Sequence, residues 1–125
     1  MREGALEGVK VLDLTHHIAG PYCTKLMADF GAHVVKVERP GGDPARRTAP
    51  FFHDETGPEK SLLFLYLNTN KRGVTLNLKS HRGRQMLKEL ARESDIVVEN
   101  FSPRVMPSLG LDYQALRSSN SSLAM

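Results

Sequence analysis

The sequence predicts an α/β fold, a parallel sheet of about four strands joined by crossover helices, on three observations. Between Leu6 and Pro44 an apolar run, a polar loop, a helical stretch and a second apolar run follow one another without interruption. Val9, Val11, Leu12 and Leu14 crowd together without alternation, which suits a strand covered on both faces. Two further short apolar segments, Val74 to Leu78 and Asp95 to Val98, bracket another helical stretch, so strands and helices keep alternating along the chain.

The first strand stops at the polar Thr15-His16-His17. Gly20-Pro21 then opens a helix, because proline is favoured in a first turn where its missing N–H is not needed. Tyr22, Cys23, Leu26, Met27 and Phe30 recur on one helical face, which is expected to cover the sheet and to bury Cys23. Gly31 is a left-handed terminator, and Val34, Val35 and Val37 form the second strand, ending at Glu38-Arg39-Pro40-Gly41-Gly42-Asp43. Residues 43–60 are rich in Pro, Gly, Thr and charge, with Phe51 and Phe52 as their large apolar pair, and read as one long irregular loop. Ser61 to Leu67 is a buried strand or a short helix by periodicity alone. Asn68 to Arg72 is a polar turn, placed at the edge of the sheet opposite the expected cleft, and Val74 to Leu78 alternates as a third strand. Ser80 caps a helix to about Glu93 that carries Met86, Leu87, Leu90 and Ala91 on one face, although Gly83 in its first turns weakens it by about 1 kcal/mol. Asp95 to Val98 is the fourth strand, followed by short helices at Pro103 to Leu109 and Asp112 to Arg117 with Gly110 between them. Ser118 to Ser122 is a loop, and Leu123-Ala124-Met125 opens another buried strand. Residues 1–125 therefore read as a single domain whose carboxyl-terminal strands are missing.

A chain of 125 residues, 40% hydrophobic and 25% charged, can build one core of its own. Its net charge of +3 is dispersed, with adjacent basic residues only at Arg46-Arg47, Lys71-Arg72 and around His81 to Arg84. Nucleic acid is not an expected partner, since that needs a denser basic stripe with stacking aromatics. An anionic small ligand suits the balance better. The first strand begins too early to leave room for a secretory signal and no apolar run approaches a membrane span, so no membrane partner is expected. The expected compartment is the cytoplasm, or a mitochondrion if an upstream presequence has been removed. Cys23 is the single cysteine, which leaves no internal disulfide and no cysteine-based metal site.

Strands joined by crossover helices run parallel, and such sheets bind ligands beyond the carboxyl ends of their strands. That rule selects Thr15 to Gly20, Arg39 to Asp43, Lys79 to His81, and Asn100 to Pro103. These loops offer the cations Arg39 and Lys79, the amide of Asn100 and the ring of Phe101, a set suited to phosphates and an adenine ring. His16 and His17 read as loop or cap residues, since no partner carboxylate is identifiable. Glu38 stands where a dinucleotide fold places its ribose-binding acid, but the loop THHIAGP has no GxGxxG pattern.

Several ordered blocks, LEGVxVLDLT, AGP, DFGA, VVKVERPGGD, Asn68 to Arg72, Val97 to Phe101 and Leu109 to Tyr113, resemble the amino-terminal segment of the class III coenzyme A transferases over nearly the whole chain. That family includes formyl-CoA and carnitine CoA-transferases and has α-methylacyl-CoA racemases as relatives. The resemblance favours a helix at Ser61 to Leu67 and implies a truncated, Rossmann-like domain that binds coenzyme A. It implies cofactor contacts at Ile18, Ala19, Arg39, Leu76, Lys79, Asn100 and Phe101. Ile18 departs from the glutamine of some formyl-CoA transferases, and Ser108 replaces an arginine of some members, with Arg104 a helical turn away as a substitute. The implied reaction moves coenzyme A from an acyl-CoA to a carboxylic acid through an aspartyl intermediate, with no metal. The nucleophilic aspartate lies beyond Met125, so this chain alone is expected to be inactive and to hold no catalytic residue. A homodimer is implied for the full-length enzyme. Open alternatives are a noncatalytic CoA-binding or assembly-partner protein, the racemase branch, or another nucleotide-binding domain such as one for NAD.

Overall fold

The computed structural model describes residues 3–125. Four strands, β1 (Lys10–Asp13), β2 (His33–Glu38), β3 (Arg72–Thr75) and β4 (Ile96–Val98), form one sheet in the order β3-β2-β1-β4. Every pairing is parallel: Leu12 stands opposite both Val35 and Val97, and Val37 opposite Val74. From β1 the chain runs outward to β2 and β3, then crosses back to β4 on the other side. That reversal puts a topological switch point between β1 and β4, where open α/β sheets hold ligands.

Side-chain alternation divides the core. Val11 and Val34 pack with Ala28 and Ala32 on the face covered by α1 (Ala19–Asp29). Leu12, Leu14 and Val37 point the other way, into a larger cluster with Leu87 and Ala91 of α3 (His81–Arg92), Met106 of α4 (Val105–Ser108) and Leu116 of α5 (Tyr113–Arg117). The short α2 (Leu62–Leu67) supplies Phe64 and Leu67 to the buried set. Its cap is Ser61, whose hydroxyl accepts from the Phe64 amide at 3.2 Å and lies 2.8 Å from the Ala45 carbonyl. The SLLFLYL segment is thus a helix, as the resemblance implied.

Residues 43–60 are less irregular than expected, with 3-10 turns at Pro44–Arg47 and Phe52–Asp54 and a bridge between Phe51 and Ser61. At the far side of β4, Leu123 is buried and Ala124 forms an isolated parallel bridge with Ile96: its amide donates to the Asp95 carbonyl at 3.0 Å, and its carbonyl accepts from the Val97 amide at 2.9 Å.

Three expectations need correction. The helix α1 buries Pro21, Thr24 and Ala28 against the sheet, while Tyr22, Leu26 and Phe30 are exposed and so is the thiol of Cys23. Small residues let the helix axis approach the sheet, and the wide apolar stripe lies on the outer side. The third strand is Arg72–Thr75, two residues earlier than the apolar alternation indicated. It is an edge strand exposed along its length, whereas Leu76 is buried because it turns into the core just past the strand end. Met86 of α3 is also exposed, leaving Leu87 and Ala91 as the buried stripe.

Gly83 has a packing reason. A Cβ there would stand 2.0 Å from the Asn77 carbonyl oxygen, so the first turn of α3 lies directly on the loop that follows β3. Glycine's cost to the helix is offset by that contact, and Ser80 caps the same turn, its hydroxyl accepting from the Gly83 amide at 3.0 Å.

Candidate functional site

A cleft of about 780 Å³ opens at the carboxyl ends of the strands. Its walls come from the loops after β1 (Leu14, Thr15, His16), after β2 (Arg39 to Pro44, with Arg47) and after β3 (Leu76 to Lys79), and from Phe101, Val105, Ser108 and Leu109 beyond β4. The structure therefore brings Arg39, Leu76, Lys79 and Phe101 to one cavity. Ile18 and Ala19 are exposed at the start of α1 and do not line it. Arg104 is exposed just before α4 and is not among the residues lining the cleft, to which that helix contributes Val105 and Ser108.

Asn100 is near the cleft but its side chain is engaged. Its Oδ1 accepts from the His16 amide at 3.1 Å, and its Nδ2 donates to the His16 carbonyl at 2.8 Å. This pair of bonds imitates one rung of a sheet and ties the loop after β4 to the loop after β1 across the switch point. The ring of His16 packs on Phe101 at 5.1 Å between centroids and on His17 at 4.8 Å. Burial first, and then the neighbouring His17, hold the His16 imidazole below its ordinary range, with Asp43 opposing them. A neutral His16 and Phe101 together present an aromatic surface.

Beneath the loops lies a set of buried charges that sequence reasoning did not reach. Asp13, at the end of β1, accepts from the Thr15 amide at 2.8 Å, the Thr15 hydroxyl at 2.5 Å, the Thr24 hydroxyl at 2.7 Å and the Lys71 ammonium at 2.9 Å. Lys71 also donates to the Pro21 carbonyl and the Asn68 side chain, both at 2.9 Å, and burial lowers its pKa against the pull of Asp13. The polar turn at Asn68 to Lys71 is thus structural, and it reaches under α1. Gly20 permits this packing, since a Cβ there would strike Thr15 at 2.4 Å.

A second buried pair joins the first two loops. Lys36 Nζ donates to the Thr15 carbonyl at 2.9 Å and stands 2.9 Å from Asp43 Oδ2. The Asp43 contact is electrostatic rather than a directed hydrogen bond, because Oδ2 has no donor in line with it. Oδ1 of Asp43 accepts from the His17 amide at 3.1 Å and the Ala45 amide at 2.9 Å. His17 adopts a left-handed φ of 69°, a conformation this contact holds in place.

Glu38 forms the third pair. Arg46 grips it with two bonds of 2.7 Å, the Asp43 amide donates to it at 2.7 Å, and the Arg46 guanidinium lies 3.8 Å over the Phe64 ring. Burial pushes both the Glu38 and Asp43 carboxyls upward, but bonds from Arg46 and the Asp43 amide at Glu38, and the ammonium of Lys36 with the Ala45 amide at Asp43, carry each below its ordinary value. Glu38 is consequently a clamp on the PGGD turn and not a free acceptor for a ribose. The only sequence trace of these pairs is the repeated placement of a charge inside a valine-rich strand, at Lys36 and Asp13.

Chemically, the cleft offers cations, loop amides and an aromatic surface, while its acids are neutralised. Both carboxylates among the described residues lining it, Glu38 and Asp43, are paired with cations, which leaves its exposed charges positive. No group of three or more His, Cys, Asp and Glu side chains that would hold a metal occurs among the described residues, and no helix there is long and apolar enough to cross a membrane.

Comparison with known proteins agrees with this geometry. The model of CoA-transferase family III matches residues 6–125. The chain belongs to that family. A formyl-CoA:oxalate CoA-transferase from Streptomyces avermitilis is 46% identical over 116 residues, which are 93% of this chain and 27% of that protein. A succinyl-CoA:mesaconate CoA-transferase from Haloarcula marismortui is 45% identical over 120 residues, 96% of this chain and 30% of that protein. The crystal structure of a hypothetical protein from Mycobacterium tuberculosis superposes with a TM-score of 0.85 at 38% identity, covering 96% of this chain and 32% of that one. The family III chain described here thus spans under a third of the length of such relatives.

Proposed function

We propose that this chain is the coenzyme-binding, amino-terminal part of an enzyme that transfers coenzyme A between an acyl-CoA and a carboxylic acid. The observation that carries this is the cleft at the switch point, where Arg39 and Lys79 stand without carboxylate partners among the described residues, beside the His16–Phe101 surface. Phosphates would meet the two cations and loop amides, and adenine the aromatic surface or the planar guanidinium of Arg39. Leu76, Leu78 and Leu109 would pack against the apolar parts of the ligand.

The reaction would proceed by attack of an aspartate carboxylate on the thioester, giving a mixed anhydride and coenzyme A thiolate; the thiolate then attacks the aspartyl carbonyl, forming an aspartyl thioester and releasing the donor acid. The acceptor carboxylate attacks that thioester to give a second anhydride and the thiolate, and the thiolate attacks the acceptor's acyl carbon, which releases the new acyl-CoA and restores the aspartate. Asp13 and Asp43 cannot serve as that nucleophile, since each is buried and matched by a lysine. On the family resemblance, the proposed nucleophile lies in a longer form of the protein, whose proposed working form is a homodimer. Calorimetric titration of the folded chain with CoA and with NAD tests the reading. The expected result is saturable binding of CoA in preference to NAD, with no transfer when an acyl-CoA and a free acid are supplied. Equal or stronger binding of NAD would overturn it.

A further inference from the structure

Arg47 stands on the same cleft wall as Arg39 and Lys79, and all three are exposed. None of them pairs with a carboxylate among the described residues. The acids of that wall are already matched, Glu38 by Arg46 and Asp43 by Lys36. The cleft surface therefore carries an excess of positive charge that the protein itself does not answer.

Arg47 makes a single bond in the structure, a long one of 3.3 Å from Nη1 to the Gly41 carbonyl. Most of its donors are unspent. That bond aims the guanidinium along the Gly41-Gly42 turn, whose residues have φ of 88° and 80°. The turn is fixed from below: a Cβ on Gly42 would lie 2.7 Å from Arg46 Cδ and 2.9 Å from Glu38 Oε2. The neighbouring Arg46 is thus committed to Glu38, and Arg47 lines the cleft beside that buried pair. Two adjacent arginines divide between structure and surface.

We propose that Arg47 is a third phosphate-binding residue of this cleft, acting beside Arg39 and Lys79 on a ligand with more than one phosphate group. The inference rests on the coenzyme reading above and adds to it a residue and a charge count.

Titration of CoA into the folded chain, its Arg47→Gln and Arg47→Lys variants, and Arg39→Gln as comparator tests it, each protein first checked for an unchanged thermal midpoint. Losing a charge-assisted bond corresponds to about a tenfold or greater weakening for Arg47→Gln, with a smaller loss for Arg47→Lys. The gap between wild type and Arg47→Gln should narrow as salt is raised, because exposed charge contacts are screened. If Arg47→Gln binds CoA as the wild type does while Arg39→Gln is weakened, Arg47 is not a ligand and the coenzyme reading stands. A loss that is indifferent to salt, or equal in the glutamine and lysine variants, also overturns the inference. If the folded wild-type chain binds no CoA, both readings fall together.

Discussion

The wall of the cleft built on β1 and β2 is braced by side chains across long stretches of sequence, whereas past Leu76, whose amide donates to the Glu38 carbonyl at 2.9 Å, the wall built on β3 takes its side-chain bonds from residues near it in sequence. On the first, Lys71 reaches Asp13, Lys36 joins Thr15 to Asp43, Arg46 grips Glu38, and Asn100 clasps His16. On the second, Asn77 Oδ1 accepts from the Lys79 amide at 3.1 Å, and Arg84 donates to the Leu78 carbonyl at 3.2 Å and the Lys79 carbonyl at 2.9 Å. For the proposed ligand, a wall of buried charge pairs would supply a preorganised base for Arg39, and a wall of short-range bonds would let Lys79 adjust. One side of the site supplies geometry and the other adjustment.

The largest test of that contrast is Lys71→Met, which strands the Asp13 carboxylate in the interior. The side chains of Lys71 and Asp13 are 2% and 0% exposed, so the loss should reach about 3–5 kcal/mol in urea unfolding. Adding Asp13→Asn should recover part of it, since the two sites share one interaction. A loss below about 1 kcal/mol, the range of exposed pairs, would show that the brace is ornamental.

Acid comes next, and it acts on two braces at once. Against the upward push of burial, the Arg46 guanidinium at Glu38 and the Lys36 ammonium at Asp43, helped by backbone amides, hold both folded-state pKa values below the ordinary carboxylate range. Their contribution is complete above that range and disappears as pH falls through the lower folded values. The thermal midpoint should therefore drop below about pH 4.5, and Lys36→Met should flatten that drop. A midpoint as steep in the variant as in the wild type would remove Asp43 from the account.

The smallest effect concerns the other wall. By helix propensity alone Gly83→Ala should stabilise the chain by about 1 kcal/mol. The methyl group would meet the Asn77 carbonyl at 2.0 Å, so the expected outcome is a loss of about 1–3 kcal/mol, with the loop that carries Lys79 displaced. A stabilised variant would mean that this wall yields even more readily than its bonds suggest.

The same contrast explains what could be read from the letters. The first crossover unit was legible because Val11, Leu12, Val34 and Val37 are buried on a sheet covered from both sides, and such strands advertise themselves as apolar runs. The third strand was misplaced because Arg72 to Thr75 lies at an edge with no buried face, so no alternation marks it. The stripe of α1 was assigned to the wrong side because close packing selected Thr24 and Ala28, which are small, over Tyr22 and Phe30, which are larger and more apolar. At the site, Arg39, Leu76, Lys79 and Phe101 reach one cleft because strand ends predict loops well. The charge pairs were hidden because each partner is an ordinary residue type, and only the fold brings Asp13 to Lys71 or Glu38 to Arg46.

The two interior ammonium groups have a practical consequence. Lys36 and Lys71 have side chains only 3% and 2% exposed, while Lys79 stands open at the cleft mouth. An amine-acylating reagent applied to the native protein would mark Lys79 and spare the other two, and a coenzyme bound at the mouth would shield Lys79 as well. The labelling pattern of these lysines is then a gauge that distinguishes an intact empty molecule, an intact occupied one and an unfolded chain in a single measurement.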